Sequence, residues 1–147
     1  MVLDIYGQKG DDGYFNECIE KISRLDNICF KGSIKETTVV ETIREYDILC
    51  LCSTFSEMSP LVIQEAFAAG IPVLASNVYG NAEQIVNGEN GLLFKYNDVV
   101  SLKIAISKLI AEPDLLSKLK ANIKPPLSFE VVKNEYKKLY KGLLNAK

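Results

Sequence analysis

The chain alternates short apolar runs with longer stretches of helical periodicity. Residues 2–6 alternate apolar and polar positions and stop at Gly7, which predicts a strand and then a flexible turn over 7–10. Residues 11–24 carry Tyr14, Phe15, Cys18, Ile19 and Ile22 at helical spacing, continued by Leu25. A short strand is expected at 28–30, a loop at 32–35, and a second helix at 35–45 with Val39, Val40 and Ile43 on its apolar side. The apolar run 48–52 has the length of a buried strand, and a polar loop follows at 53–59. Pro60 then stands where a first helical residue would stand, with Ser59 as N-cap, and Gly70 and Pro72 close the helix. A fourth strand is expected at 71–75, one helical turn at 82–86, a tight turn at 87–91 and an edge strand at 92–94. Asp98 caps a helix to residue 111 with a stripe of Val99, Leu102, Ile106, Leu109 and Ile110. Pro113 starts another to residue 120, and 128–144 form a last helix after the proline pair at 125–126.

Strands alternating with helices predict an α/β fold, a parallel sheet covered on both faces. Ligands of such sheets bind at the carboxyl ends of strands, where strand order reverses, and the loop 53–59 lies at such an end.

The 147 residues, 48% hydrophobic and 24% charged, suit one soluble domain with a sizeable core. A formal charge of −2 and a pI near 5.3 argue against a dedicated nucleic-acid binder. No apolar run reaches transmembrane length, and residues 2–6 are too short for a signal peptide, so the cytoplasm is the expected location. Cys18, Cys29, Cys50 and Cys52 form no C-x-x-C pair and are expected as reduced thiols in the core rather than a zinc site. There is no histidine, so acid–base work would fall to carboxylates, lysines or the substrate itself. Lys133, Lys137, Lys138 and Lys141 read as the solvated face of the last helix, with membrane-surface binding as the lesser alternative.

The helix after Pro60 is almost wholly apolar, with Leu61, Val62, Ile63, Ala66, Phe67, Ala68 and Ala69, and is expected to be buried. Glu65 in its middle is the anomaly, because an unpaired buried carboxylate costs roughly several kcal/mol. Glu57 precedes it by eight residues, in the loop. Helical side chains lean toward the N-terminus, so both carboxylates address one mouth. That mouth also holds the free N–H groups and positive dipole end of the helix, which suit an anion. Carboxylates touching a phosphate would repel it, whereas carboxylates gripping hydroxyls on either side would not. A diphosphate with a sugar at each end fits. The structural alternatives are a Glu65 paired with a lysine and a Glu57 in solvent. The 7–10 segment reads as a strand-to-helix turn in preference to a phosphate cradle, and it is not a G-x-G-x-x-G fingerprint.

The run EMSPLVIQEAFAAGIPV at 57–73 resembles the E-x7-E motif of retaining glycosyltransferases, and more narrowly the group 1 family with the two-domain GT-B fold. SNVYGNAEQIVNGENGLLF at 76–94 is similar to that family's donor-side loop. The resemblance covers nearly the whole chain but only the family's C-terminal half. It implies a Rossmann-like, nucleotide-sugar donor-binding domain over 1–147, without the N-terminal acceptor domain. It implies that Glu65 binds the ribose hydroxyls and that Glu57, the catalytic position, meets hydroxyls of the transferred sugar. The backbone of Met58, Ser59, Pro60 and Leu61 would face the sugar and diphosphate, and the loop of Ser33, Ile34 and Lys35 the nucleotide base. The Gly7 loop would lie along the cleft toward the other domain. The helix dipole would help neutralise the leaving diphosphate. Neither metal nor cofactor is implied. The partners implied are the nucleotide-sugar donor and, through the absent domain, an acceptor glycan or lipid; the whole protein could sit at the membrane periphery.

The family pattern also places one more strand ahead of this sequence, followed by an Arg and a Lys that grip the diphosphate. That strand would lie between segments 2–6 and 48–52, which then either pair directly or receive a neighbouring chain. Met58 stands where the motif often has glycine, which lets backbone approach a ligand closely. Asn81 and Glu83 are weaker ligand candidates, with turn structure as the alternative. The two glutamates do not read as a glycosidase pair, which flanks a bond at about 5–5.5 Å. The expectation is the donor half of a hexosyltransferase, inactive in isolation, with a non-catalytic nucleotide-sugar binding module as the alternative. A receiver-like signalling domain would need an acidic cluster at strand ends and an opposing lysine, which the sequence lacks.

Overall fold

Among the described residues, five strands form two hydrogen-bonded sheets, each with parallel pairing. The computed structural model describes residues 1–55 and 58–145. β1 (Leu3–Tyr6) leads through α1 (Asp12–Ile22) to β2 (Ile28–Gly32), and the two strands pair in parallel from Leu3↔Ile28 onward. A single 3-10 turn (Glu36–Thr38) and α2 (Val39–Arg44) follow where one continuous helix is expected. β3 (Leu49–Leu51), α3 (Leu61–Ala69), β4 (Val73–Ser76), α4 (Tyr79–Gln84) and β5 (Gly91–Phe94) then build a parallel sheet in the order β3-β4-β5. α5 (Val99–Ala111), α6 (Pro113–Ala121) and α7 (Phe129–Asn145) complete the chain.

Among the described residues no ladder joins β1 to β3, so direct pairing of these two segments is not what forms. Side chains connect the two sheets instead. The Tyr46 hydroxyl, just before β3, donates to Asp4 Oδ2 on β1 at 2.7 Å and meets the Tyr6 hydroxyl at 2.7 Å. The two rings stand edge to face, 6.1 Å between centroids.

The core sits on both faces of the β3-β4-β5 sheet, and the period of two in β4 divides it. Val73 and Ala75 join Ile63, Ala66 and Phe67 of α3 on one face. Leu74 joins Leu92 and Phe94 of β5 and Leu115 and Leu119 of α6 on the other, with Leu102, Ile106 and Leu109 of α5 packed against them. Val99 and Ile110, expected in that stripe, are exposed. Close approach of β4 and β5 requires Gly91: a Cβ there would stand 2.3 Å from the Val73 carbonyl oxygen.

The β1–β2 half is thinly covered. No residue of α1 is buried, and Tyr14 is exposed while Phe15 packs edge-on against Phe30 at 5.2 Å. The thiols are free as expected, but their placement in a core is corrected: Cys18 is half-buried, and Cys29, Cys50 and Cys52 are exposed. Cys29 and Cys50 lie on β2 and β3, which are edge strands of their sheets. α7 buries no residue at all.

Candidate functional site

β3, the loop after it and α3 form the unit on which the site rests. Ser53, at the start of the loop, is buried, and its carbonyl accepts a hydrogen bond from Ser76 Oγ at 2.9 Å. The next carbonyl, of Thr54, accepts from the Tyr96 hydroxyl at 2.7 Å. Exits of β4 and β5 thus pin the first half of the loop. Glu57, the proposed catalytic position, lies outside the described residues. Met58 and Ser59 beyond it are exposed.

α3 starts one residue later than expected. Pro60 is the N-cap, with extended ψ of 118°, and Leu61 is the first helical residue. Ser59 therefore does not cap the helix. Pro60 has no side-chain acceptor, and among the described residues no side chain caps the first turn. The stop agrees with expectation: Gly70 takes a left-handed φ of 75°, and the Ile71 N–H reaches back to the Ala66 carbonyl at 2.8 Å.

The expected full burial of α3 is corrected to burial of one face. Ile63, Ala66 and Phe67 face the core, while Leu61 is 74% exposed. At 3.6 residues per turn, Glu65 sits one turn after Leu61 on the side away from that buried face. Its carboxylate is half-buried rather than fully buried. Among the described residues, no lysine or arginine pairs with it and none donates a hydrogen bond to it. Its neighbour Gln64 does have a partner, donating to Gln84 Oε1, which fixes α3 against α4. Gln84 in turn donates to the Gly80 carbonyl at 3.1 Å.

A second group gathers at the carboxyl ends of β1 and β2. The Gly7 N–H donates to the Gly32 carbonyl at 3.0 Å, and Ser33 Oγ donates to the Gly7 carbonyl at 3.4 Å. Gly7 and Ser33 are therefore brought together, with Ile34 half-buried and Lys35 exposed beside them. Lys35 also occupies the N-cap position of the 3-10 turn, without a side-chain capping hydrogen bond.

Asn81 is fully buried, and its Nδ2 donates to the Ser76 carbonyl at 3.0 Å and to Ser76 Oγ at 3.3 Å. Its work is to hold the exit of β4. Its Oδ1 has no partner among the described residues. Glu83 is exposed.

Two features escape the sequence reading. Tyr79 and Tyr96, with Asn77 and Val78, line a cavity of about 390 Å3 at the carboxyl ends of β4 and β5; the available signal was a tyrosine shortly after each strand. Cys50 and Cys52 hold their sulfur atoms 3.4 Å apart. The shared S–H···S contact pushes the Cys50 thiol up, and the same contact pulls Cys52 down to about 7. No group of three or more His, Cys, Asp or Glu side chains able to hold a metal occurs among the described residues.

The family model for glycosyl transferases group 1 matches residues 1–125. An exopolysaccharide phosphotransferase of Streptomyces coelicolor is 36% identical over 115 residues, 78% of this chain and 12% of that protein. A glycogen synthase of Mycobacterium tuberculosis is 31% identical over 111 residues, 76% of this chain and 27% of that protein. The fold is shared with Anabaena HepE in complex with UDP-glucose, at TM-score 0.74 and 24% identity over 83% of this chain and 34% of that one. It is shared too with sucrose-phosphate synthase from Thermosynechococcus elongatus, at TM-score 0.76 and 23% identity over 98% of this chain and 39% of that one. The chain thus spans well under half the length of each of these proteins. No helix among the described residues is long and apolar enough to cross a membrane. A match of this extent, on a parallel α/β frame of the GT-B kind, means that the chain belongs to the group 1 glycosyltransferase family.

Proposed function

We propose that this chain is the donor-binding half of a retaining glycosyltransferase, and that it takes a nucleotide-diphosphate sugar for transfer to a glycan, lipid or other acceptor held by a separate N-terminal domain. The observation that carries the reading is Glu65, a half-buried carboxylate without a partner among the described residues, on the helix that follows the site loop. A carboxylate ion accepts two ribose hydroxyls as readily as it accepts water, and a charged acceptor makes those hydrogen bonds strong. A first turn of α3 without a side-chain cap among the described residues suits a diphosphate at Ser59 and Leu61, whose N–H groups and the helix dipole favour negative charge; Pro60 has no N–H and contributes only its place in the turn. Stabilising the departing diphosphate there lowers the barrier for transfer. Glu57 is assigned to the hydroxyls of the transferred sugar and Met58 to its backbone contact. Gly7 and the loop of Ser33, Ile34 and Lys35 are assigned to the nucleotide end. No metal is assigned to the reaction, because the helix N-terminus supplies the positive potential.

Uridine is the first base to test, since HepE is described in complex with UDP-glucose. The test is calorimetric titration of the chain with UDP, GDP and ADP, with and without EDTA. Saturable binding of one of them is expected, unchanged by EDTA and weakened about 10- to 100-fold in Glu65→Ala, the loss of charge-assisted hydrogen bonds. Binding that persists undiminished in Glu65→Ala would remove the reading.

A further inference from the structure

Beside the donor mouth, the carboxyl ends of β4 and β5 carry a second concave feature. Asn77, Val78, Tyr79 and Tyr96 line it, a hollow of about 390 Å3 that is widely open to solvent. Its lining is chemically narrow: two phenol rings, one amide and one small aliphatic group, with no charged side chain. A phosphate finds no cation there, and an alkyl chain finds only Val78. A pyranose ring finds both halves of what it needs. Its C–H face packs on an aromatic ring, and its hydroxyls take the amide and the phenolic oxygen.

Both rings are presented, and the Tyr96 ring is also held. Tyr79 is 75% exposed and Tyr96 is 44% exposed, so their faces are available. Single exposed tyrosines are ordinary; here two line one hollow, Tyr79 at the start of α4 and Tyr96 after β5. The Tyr96 hydroxyl donates to the Thr54 carbonyl at 2.7 Å, and the Asn77 N–H donates to the Phe94 carbonyl at 2.8 Å. Buried Asn81 ties off the Ser76 carbonyl directly beneath. A cavity braced in this way loses little freedom on binding. The Tyr96–Thr54 bond also joins the hollow to the first half of the loop after β3.

We propose that this hollow binds a neutral hexose ring of the acceptor glycan, one distal to the part that the N-terminal domain would hold, with Tyr79 as the stacking face and Asn77 as the hydrogen-bonding group. The acceptor assignment rests on the donor-half reading above; binding of a sugar ring does not.

The experiment is an NMR titration of the 15N-labelled chain with maltotriose, cellotriose and chitotriose as neutral probes, each repeated with UDP and with UDP-glucose. At least one probe is expected to shift the signals of Asn77, Tyr79 and Tyr96 saturably. Tyr79→Ala should weaken that binding about five- to tenfold, the value of an aromatic contact, and should leave UDP binding intact. Because Tyr79 is exposed, an otherwise unchanged spectrum of the variant will show that it folds. Glu65→Ala should leave the trisaccharide titration unchanged. Absence of shifts with all three probes, or shifts that survive undiminished in Tyr79→Ala, would overturn the subsite. Displacement of the bound trisaccharide by UDP-glucose, but not by UDP, would give the cavity to the donor's own sugar and overturn the acceptor assignment. Loss of UDP binding with trisaccharide binding retained would overturn the donor reading and leave the sugar subsite standing.

Discussion

Cys50 and Cys52 stand two residues apart at the end of β3, with exposed side chains and sulfurs 3.4 Å from each other. A proton kept on Cys50 and donated to Cys52 stabilises a Cys52 thiolate, which lies at about 7. Its thiolate is therefore the major form above neutrality and is lost as pH falls through that value. Alkylation of Cys52 by iodoacetamide, followed by mass spectrometry, should titrate with a midpoint near 7, and Cys50→Ala should move it up toward the ordinary value of about 8.5. A midpoint that Cys50→Ala leaves in place would show that the contact is not the cause. The pair was not legible in the sequence, which reads both residues as core because the run 48–52 is apolar. Only the position of β3 at a sheet edge exposes them. Glu65 was legible as an anomaly of type, a carboxylate in an apolar helix. Its partial exposure was not, because periodicity alone does not say which face of α3 meets the sheet. That exposure has a consequence for its variants. An unpaired, half-buried surface carboxylate changes stability by roughly 0.5 kcal/mol or less when truncated, so lost binding in Glu65→Ala will report on the ligand and not on unfolding.

The elements follow the chain's own punctuation where the signal is a side chain with a defined partner. Asp98 caps α5 by accepting from the Ser101 N–H at 2.9 Å, and Gly70 ends α3 in the left-handed conformation. Ser59 and Pro60 mislead because the proline, fixed only in φ, takes an extended ψ and leaves the helix to begin at Leu61. α4 starts at Tyr79, three residues before its expected first residue, because Tyr79 and Gly80 carry weak helix propensity and tertiary packing decides. Gly91 shows the strongest element-level constraint. Gly91→Ala places a methyl group 2.3 Å from a backbone oxygen of β4, which cannot rotate aside. Thermal denaturation of that variant should show a loss of about 3 kcal/mol or more. A melting curve like the parent's would mean that the β4–β5 spacing is wrong.

Across the whole molecule the α/β class and parallel pairing were legible from alternation alone, whereas the division into two ladders was not. Strand periodicity marks which residues are strands but carries no record of which edges meet. Both core clusters belong to the β3-β4-β5 sheet, and the β1–β2 ladder is joined to it by the Tyr6–Tyr46–Asp4 hydroxyl chain. Sparse burial predicts low local stability. In native-state hydrogen exchange, the amides of β1, α1 and β2 should exchange through a lower-energy opening than those of β4 and β5. Uniform protection across both ladders would contradict this arrangement.

The central claim is that the Glu65 carboxylate receives ribose hydroxyls of a nucleoside diphosphate, and a thermodynamic cycle tests it most directly. The affinities of the parent chain and of Glu65→Ala are measured for UDP and for its 2′,3′-dideoxy analogue, whose base and diphosphate are unchanged. Removing the hydroxyls should weaken binding to the parent about 10-fold or more, and should cost Glu65→Ala almost nothing, because the partner is already gone. Equal losses in both proteins, adding without interaction, would contradict the account and take Glu65 out of the donor site.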